Sequence, residues 1–269
     1  MSGTSGDGVD ASLISSDGIS DYKVIQEKYF EYDEKISNSI HTLKDKIYHS
    51  KDLIKLKKEL SDLERNITLF HAKVIKHFQD NNFDLVGFHG QTIYHNAKEK
   101  ITKQLGDGNL LSQLTKENIV YNFRQNDIYN GGEGAPLTPI FHQLISTKLN
   151  LELPLIILNI GGISNITLIN GPIGSNKFLS KDVGPGNCLI DTWVRNNSSK
   201  KFDEDGALAL AGEKNDIIFE QAQELFSNRP YQNHTSFDVN DFDVSFARGL
   251  SLEDGCATIT DFTAYLIAE

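Results

Sequence analysis

The sequence predicts an α/β protein of two domains. Three observations carry that prediction. Short apolar, strand-like runs alternate with runs of helical period, the strands end in glycine-rich polar turns, and a Gly/Pro-marked stretch over residues 131–139 divides the chain near its middle. Residues 1–135 are expected to form an N-terminal lobe and residues 136–269 a C-terminal one. A length of 269 residues accommodates either two ordinary domains or one large one.

The elements follow in order. The first ten residues are dense in Gly, Ser, Thr and Asp, and Ala11 to Ile14 then read as a short strand. Residues 21–80 are rich in Lys and Glu and lack Gly and Pro. Within them the apolar positions include Leu53, Ile54, Leu56, Leu60, Leu63, Ile67, Leu69, Phe70, Val74, Ile75 and Phe78, and steps of three, four and seven dominate. One or two amphipathic helices are expected over this segment, packed on the core rather than offered as a coiled-coil surface. Phe83 to Phe88 read as a strand that runs into His89-Gly-Gln-Thr92. Gly106-Asp-Gly-Asn109 reads as a loop opening a helix at Leu110, and Ile119 to Phe123 as a strand. After Gly131-Gly-Glu-Gly134, His142 to Lys148 read as helix and Pro154 to Leu158 as strand. Asn159-Ile-Gly-Gly-Ile-Ser-Asn165 then turns into a second strand, Ile166 to Ile169. Lys181-Asp-Val-Gly-Pro-Gly-Asn187 reads as a rigid turn before a helix at Cys188 to Val194, and Leu252 to Glu269 read as a further helix.

Composition excludes several functions. Lys plus Arg number 26 against 37 Asp plus Glu, a formal net charge of −11. That balance argues against duplex nucleic acid or an anionic membrane as the main partner, since both need a basic footprint. An anionic small ligand remains compatible, because backbone dipoles and one or two local cations suffice to hold it. Cys188 and Cys256 are far apart and make neither a disulfide framework nor a thiolate metal site; both are expected to be buried. The N-terminus has no basic region followed by an apolar one, and no apolar run reaches the roughly 18–20 residues of a membrane span, so a cytoplasmic setting is expected.

Three glycine turns share one physical logic. In Gly3-Thr4-Ser5-Gly6-Asp7-Gly8, glycine lets the backbone approach a ligand and leaves N–H groups uncovered, which suits phosphate oxygens. Asp7 and Asp10 repel phosphate but can hold Mg²⁺, directly or through water. A frayed Asp/Gly turn is an equally good reading of this segment alone. The Asn159–Asn165 hairpin exposes backbone donors at its tip, as an ordinary tight hairpin also does. Asp182 before Gly184-Pro-Gly can take a proton from a hydroxyl or a water, and can equally be a turn-capping residue. Asp191, four residues after Asn187, shares its side of the following helix. At a strand end, where α/β sheets place ligands, His89, Gln91 and Thr92 supply donors and acceptors suited to sugar hydroxyls. His95, Arg124 and Asp127 are candidates for the same site, Arg124 as a bidentate clamp on a carboxylate or as an ion-pair partner of Asp127.

The ordered set Ser2-Gly-Thr-Ser-Gly-Asp-Gly-Val-Asp10, His89-Gly-Gln-Thr92, Gly106-Asp-Gly-Asn109, Gly131-Gly-Glu-Gly-Ala-Pro136, Asn159-Ile-Gly-Gly-Ile-Ser-Asn165 and Asp182-Val-Gly-Pro-Gly-Asn187 resembles the anhydro-N-acetylmuramic acid kinase family along nearly the whole chain. The resemblance implies the two-domain actin-like ATPase (ribonuclease H-like) fold of sugar kinases and Hsp70 proteins. It implies ATP and Mg²⁺ as cofactors and 1,6-anhydro-N-acetylmuramic acid as substrate. The reaction would open the anhydro ring hydrolytically and give N-acetylmuramic acid 6-phosphate in peptidoglycan recycling. Gly3, Thr4, Ser5, Gly6, Asp7, Gly8, Val9 and Asp10 would form the first ATP-phosphate loop, with Asp7 beside the metal. Asn159, Gly161, Gly162, Ser164 and Asn165 would form the second. Asp182 would be the catalytic base, and His89, Gln91, Arg124, Asp127, Gly184 and Asn187 would contact the sugar. The partners implied are that sugar and ATP, with no nucleic acid and no membrane, and a homodimer as an open assembly.

The sequence also departs from the family pattern. The family has an apolar strand before the first glycine turn and continues beyond the position of Glu269, which leads to the expectation of truncation at both ends and an incomplete C-terminal lobe. Thr235 and Val239 stand where the family segment reads Lys and Arg, and Glu133 replaces a Gln. An alternative therefore stays open: a catalytically impaired fragment or pseudoenzyme that only binds sugar or nucleotide. A third is an interaction protein using helices of residues 21–80, which would project freely rather than pack.

Overall fold

A computed structural model describes residues 1–3, 5–175, 177–227, 237 and 242–269. The chain divides into two compact units, Met1–Leu137 and Thr138–Glu269. Both mix helices with small sheets, so the coarse α/β class holds.

The N-terminal unit opens on an antiparallel hairpin of β1 (Gly8–Ser16) and β2 (Tyr22–Glu31). Asp17 builds the turn, its Oδ1 accepting the N–H groups of Ile19, Ser20 and Asp21 at 2.9, 2.8 and 2.9 Å. The start of the 21–80 segment is therefore a strand, not a helix. Tyr22, Val24, Ile25, Tyr29 and Phe30 give it the β-branched and aromatic content that favours a pleated ribbon.

Helix begins after it, in α1 (Glu34–Lys44), α2 (Ser50–Lys55) and α3 (Lys57–Lys76). Asp33 caps α1 by accepting the Ile36 N–H at 2.8 Å, which satisfies a donor the helix itself leaves open. Ile36, Ile40 and Leu43 of α1 and Leu60, Leu63, Ile67 and Val74 of α3 lie at helical spacing and bury against Val9, Ile93 and Leu105. These helices pack rather than project, which removes the basis of the interaction-protein reading.

The unit is completed by β3 (Val86–Phe88), β4 (Gln91–Asn96), β5 (Ile101–Leu105), α4 (Gly108–Thr115), β6 (Ile119–Tyr121) and α5 (Phe123–Tyr129). β3 pairs parallel with β6, and β4 pairs antiparallel with β5. Ala72 and Ile75 of α3 meet Phe88 and Leu111 in a second apolar cluster beside that parallel pair.

The C-terminal unit begins with α6 (Pro139–Lys148), followed by an antiparallel meander of β7 (Leu155–Ile160), β8 (Ile163–Ile169) and β9 (Phe178–Pro185). Then come α7 (Cys188–Asn197), α8 (Ala207–Ala211), α9 (Asp216–Ser227) and α10 (Leu252–Ala268). Trp193 joins α7 to α10, its Nε1 donating to the Leu252 carbonyl at 3.0 Å, amid Leu189, Val194, Cys256, Ile259 and Phe262. Cys188 and Cys256 are free, buried thiols whose burial pushes them up to about 12 and about 11. Among the described residues no helix is long and apolar enough to cross a membrane.

Candidate functional site

In the N-terminal unit the first glycine turn spans Gly3 to Asp7; Gly8, Val9 and Asp10 already belong to β1. Val9 is 1% exposed and contributes its side chain to the core, so only its backbone can face a ligand. Thr4 lies outside the described residues. Gly6 takes φ +67°, and a Cβ there would come within 2.9 Å of Ile40 Cγ2, so glycine is required on both counts. The turn is closed by Gly6 N–H on the Gly3 carbonyl at 3.3 Å and by Ser5 Oγ on Asp7 Oδ1 at 2.6 Å. The Asp7 and Asp10 side chains are exposed.

Gln91 belongs to this loop in space. It is fully buried, and its Nε2 donates to the Gly3 carbonyl at 2.8 Å, which ties the His89–Thr92 segment to the first turn. Its Oε1 is buried without a partner. The structure thus gives Gln91 a loop-anchoring position, where the sequence reading expected a sugar contact.

His89, Arg124 and Asp127 form a connected polar group. His89 Nδ1 donates to the Gly90 carbonyl at 2.8 Å, which leaves Nε2 as the acceptor for Arg124 Nε at 2.8 Å. Burial and the adjacent guanidinium pull His89 down to about 4, so it is neutral. Arg124 Nη1 donates to the Gly134 carbonyl at 2.8 Å, and Gly134 N–H donates to Asp127 Oδ2 at 2.8 Å. Asp127 therefore shapes the Gly131–Gly134 turn, and His89 fixes the tilt of Arg124. His95 lies close enough to Arg124 and Glu133 to feel both charges, and burial holds it below its ordinary value.

A pH dependence follows. His71, buried in α3, is also held down to about 4 by desolvation. An unfolded histidine titrates near 6.5. Between about pH 6.5 and pH 4 the unfolded chain binds protons that the folded chain refuses, so stability is full above 6.5 and falls as pH drops toward 4. Urea midpoints measured across that window should fall, and the difference between wild type and His89→Gln should itself change with pH. A constant difference would contradict a neutral His89.

In the C-terminal unit the register does the positioning. Asn159 pairs with Asn165, and Asn165 pairs with Asp182, so the three side chains stand side by side on one face of the meander. The β8–β9 register shifts next to Asn165, leaving Val183 as an extra residue, a bulge of the kind that re-aims side chains. Asp182 thus lies inside a strand rather than on a turn, because β9 keeps pairing through Gly184 and Pro185. Its Oδ2 accepts the Phe237 N–H at 2.8 Å.

The hairpin tip is locked to the start of α7. Asn187 N–H donates to the Gly161 carbonyl at 2.7 Å, and Gly186 and Cys188 N–H donate to the Gly162 carbonyl at 2.9 and 3.2 Å. Because the peptide unit is planar and trans, the Gly162 N–H points away from α7. Ser164 is buried and donates to the Pro185 carbonyl at 3.2 Å, Gly184 packs near Leu266, and Asn187 is exposed.

The sequence gives no site role to Ser2, Tyr32 or His71, which lie directly behind the first turn. The signal available was the pair of polar residues Thr68 and His71 on the buried face of α3. Thr235 and Val239 lie outside the described residues.

Comparison with known proteins places these segments in a wider context. The family model described as anhydro-N-acetylmuramic acid kinase matches residues 1–269. A protein of that name from Pelagibacter ubique is 54% identical, over 99% of this chain and 72% of its own length. Proteins of the same name from Methylobacterium nodulans and Agrobacterium fabrum are 35% and 34% identical, over 100% and 99% of this chain and 75% and 73% of theirs.

Proposed function

The chain belongs to the anhydro-N-acetylmuramic acid kinase family, and from that membership we propose that it uses ATP to phosphorylate 1,6-anhydro-N-acetylmuramic acid with hydrolytic opening of the anhydro ring. The product is N-acetylmuramic acid 6-phosphate, as peptidoglycan recycling requires. The observation that carries this reading is the 54% identity extending over 99% of the chain. The two-domain actin-like fold is part of the same proposal.

The chemistry divides among residues already described. Backbone N–H groups of the Gly3–Asp7 turn and the Gly162 N–H at the hairpin tip bind phosphate oxygens, as fixed dipoles that need no reorganisation during transfer. Asn159 and Asn165 flank them with amide donors. Asp182 takes a proton from a water as that water attacks the anomeric carbon. The bond from that carbon to the bridging oxygen breaks, and the released 6-oxygen takes the γ-phosphoryl group of ATP as the bond to its β-phosphate breaks and ADP leaves. Arg124, steered by His89, holds the lactyl carboxylate of the sugar.

Asp7 fits Mg²⁺, because it is exposed and that ion asks of a protein only one or two carboxylates beside phosphate and water oxygens. Among the described residues no group of three or more His, Cys, Asp or Glu is arranged to hold a metal unaided. When bound, Mg²⁺ neutralises charge on the phosphate oxygens.

The test is turnover of the anhydro-sugar with ATP in ¹⁸O-labelled water. Label is expected on the anomeric hydroxyl and not in the phosphate. Sugar or nucleotide binding without turnover would instead establish the impaired-binder alternative.

A further inference from the structure

The buried polar group behind the first turn has a defined direction. His71 Nδ1 lies 2.9 Å from the Ile67 carbonyl, an acceptor only, so Nδ1 carries the proton. Nε2 is then an acceptor, and Ser2 Oγ, 3.3 Å away, donates to it. The Ser2 oxygen in turn accepts from Tyr32 Oη at 2.8 Å. The sequence Tyr32 to Ser2 to His71 to Ile67 is thus a one-way chain of hydrogen bonds in which every member is satisfied. Ser2 is 2% exposed, Tyr32 4% and His71 5%. The Tyr32 backbone N–H also holds the Asp7 carbonyl at 2.8 Å, so the glycine turn is gripped at both ends.

The same helix grips a second turn. Glu64, Thr68 and His71 stand at i, i+4 and i+7 on α3 and form one stripe. Glu64 Oε1 accepts Lys103 Nζ at 2.7 Å and the Gly106 N–H at 3.2 Å, and Thr68 Oγ1 accepts the Asp107 N–H at 3.0 Å. Polar side chains on a packed helix face are costly unless partnered, and here His71 is spent on the segment leading into the first glycine turn and Glu64 and Thr68 on the turn before α4.

We propose that His71, acting through Ser2 and Tyr32, is a positioning residue that pre-orders the Gly3–Asp7 turn for the phosphates of ATP. The proposal rests on the phosphate-loop reading above. A turn of small residues has little packing of its own, so without the clamp ATP would have to order it at the cost of affinity.

The test uses the full chain. His71→Phe keeps the edge contact with Phe88, whose ring centroid is 4.9 Å away, but removes both nitrogens. It is expected to raise the KM for ATP about tenfold, the scale of one lost buried hydrogen bond, with the KM for sugar unchanged. Hydrogen exchange of the amides of residues 3–10 should quicken by a similar factor. Tyr32→Phe leaves the Ser2–His71 bond intact and should give a smaller rise of the same kind; it carries the test if His71→Phe does not fold. A lower Tm with both KM values unchanged would mean a purely structural role and would overturn the proposal. If the wild type neither binds nor turns over ATP, the phosphate-loop reading fails instead, while the exchange measurement still reports whether the clamp exists.

Discussion

Asp182→Asn is expected to lower turnover by about 10²–10⁴-fold, the range typical of a lost general base, while the protein stays folded. The substitution is isosteric, and the amide oxygen can still accept the Phe237 N–H that Oδ2 accepts at 2.8 Å. The substitution removes the carboxylate's charge and with it the basicity. The loss should therefore fall on kcat, with dissociation constants for ATP and sugar close to wild type, because a proton acceptor acts in the transition state and not in ground-state binding. Urea unfolding should shift by less than about 0.5 kcal/mol, the margin of a substitution that breaks no buried contact. Turnover at the wild-type rate would remove Asp182 as the base. Loss of turnover together with a collapsed midpoint would reassign it to holding Phe237 against β9.

Much of the fold could be read from local pattern, and the exceptions have physical causes. The 3.6-residue period of Leu60, Leu63, Ile67 and Val74 marks α3 because one face of that helix is buried and the other is wet. β2 escaped notice because it is exposed along most of its length, only Tyr22, Gln26 and Phe30 being half-buried, so the alternation that identifies a half-buried strand is missing. Asp182 read as a turn residue because Gly-Pro-Gly usually ends a strand. Here Gly184 lies buried near Leu266, and Pro185 closes a strand that pairs on one side only, where its missing N–H costs no ladder bond.

The candidate site shows the same divide. The Asn159–Asn165 hairpin was legible because a strand, a double glycine and a second strand are neighbours in sequence. The Gln91 bond to Gly3 spans 88 positions, and the Ser2–His71 bond spans 69. No local window holds both ends, so the anchoring of Gln91 to the first turn is not visible in the sequence. Polarity alone does not distinguish a side chain that waits for substrate from one already bonded to the loop beside it.

Gly186→Ala is expected to be damaging and Gly161→Ala mild, the reverse of what the double glycine at the hairpin tip suggests. A Cβ on Gly186 would lie 2.2 Å from the Gly161 carbonyl oxygen and 2.9 Å from Ser164 Oγ. The first is backbone and cannot rotate aside, so the hairpin tip must separate from α7. The bonds from Asn187 and Gly186 to the two tip carbonyls, at 2.7 and 2.9 Å, would stretch with it. Overpacking of this kind costs about 1–3 kcal/mol, which denaturant unfolding can resolve. A Cβ on Gly161 meets its nearest atoms at 3.6 Å, ordinary contact distance, and stability should stay within about 0.5 kcal/mol of wild type. The pair also separates fold from function. Gly161→Ala leaves the tip in place but puts a methyl beside the Gly162 N–H, so a rise in KM for ATP at unchanged stability would place phosphate at that hairpin. Unchanged KM in Gly161→Ala, with Gly186→Ala impaired only in proportion to its unfolded fraction, would make the lock between hairpin and α7 a scaffold and remove the tip from the phosphate site.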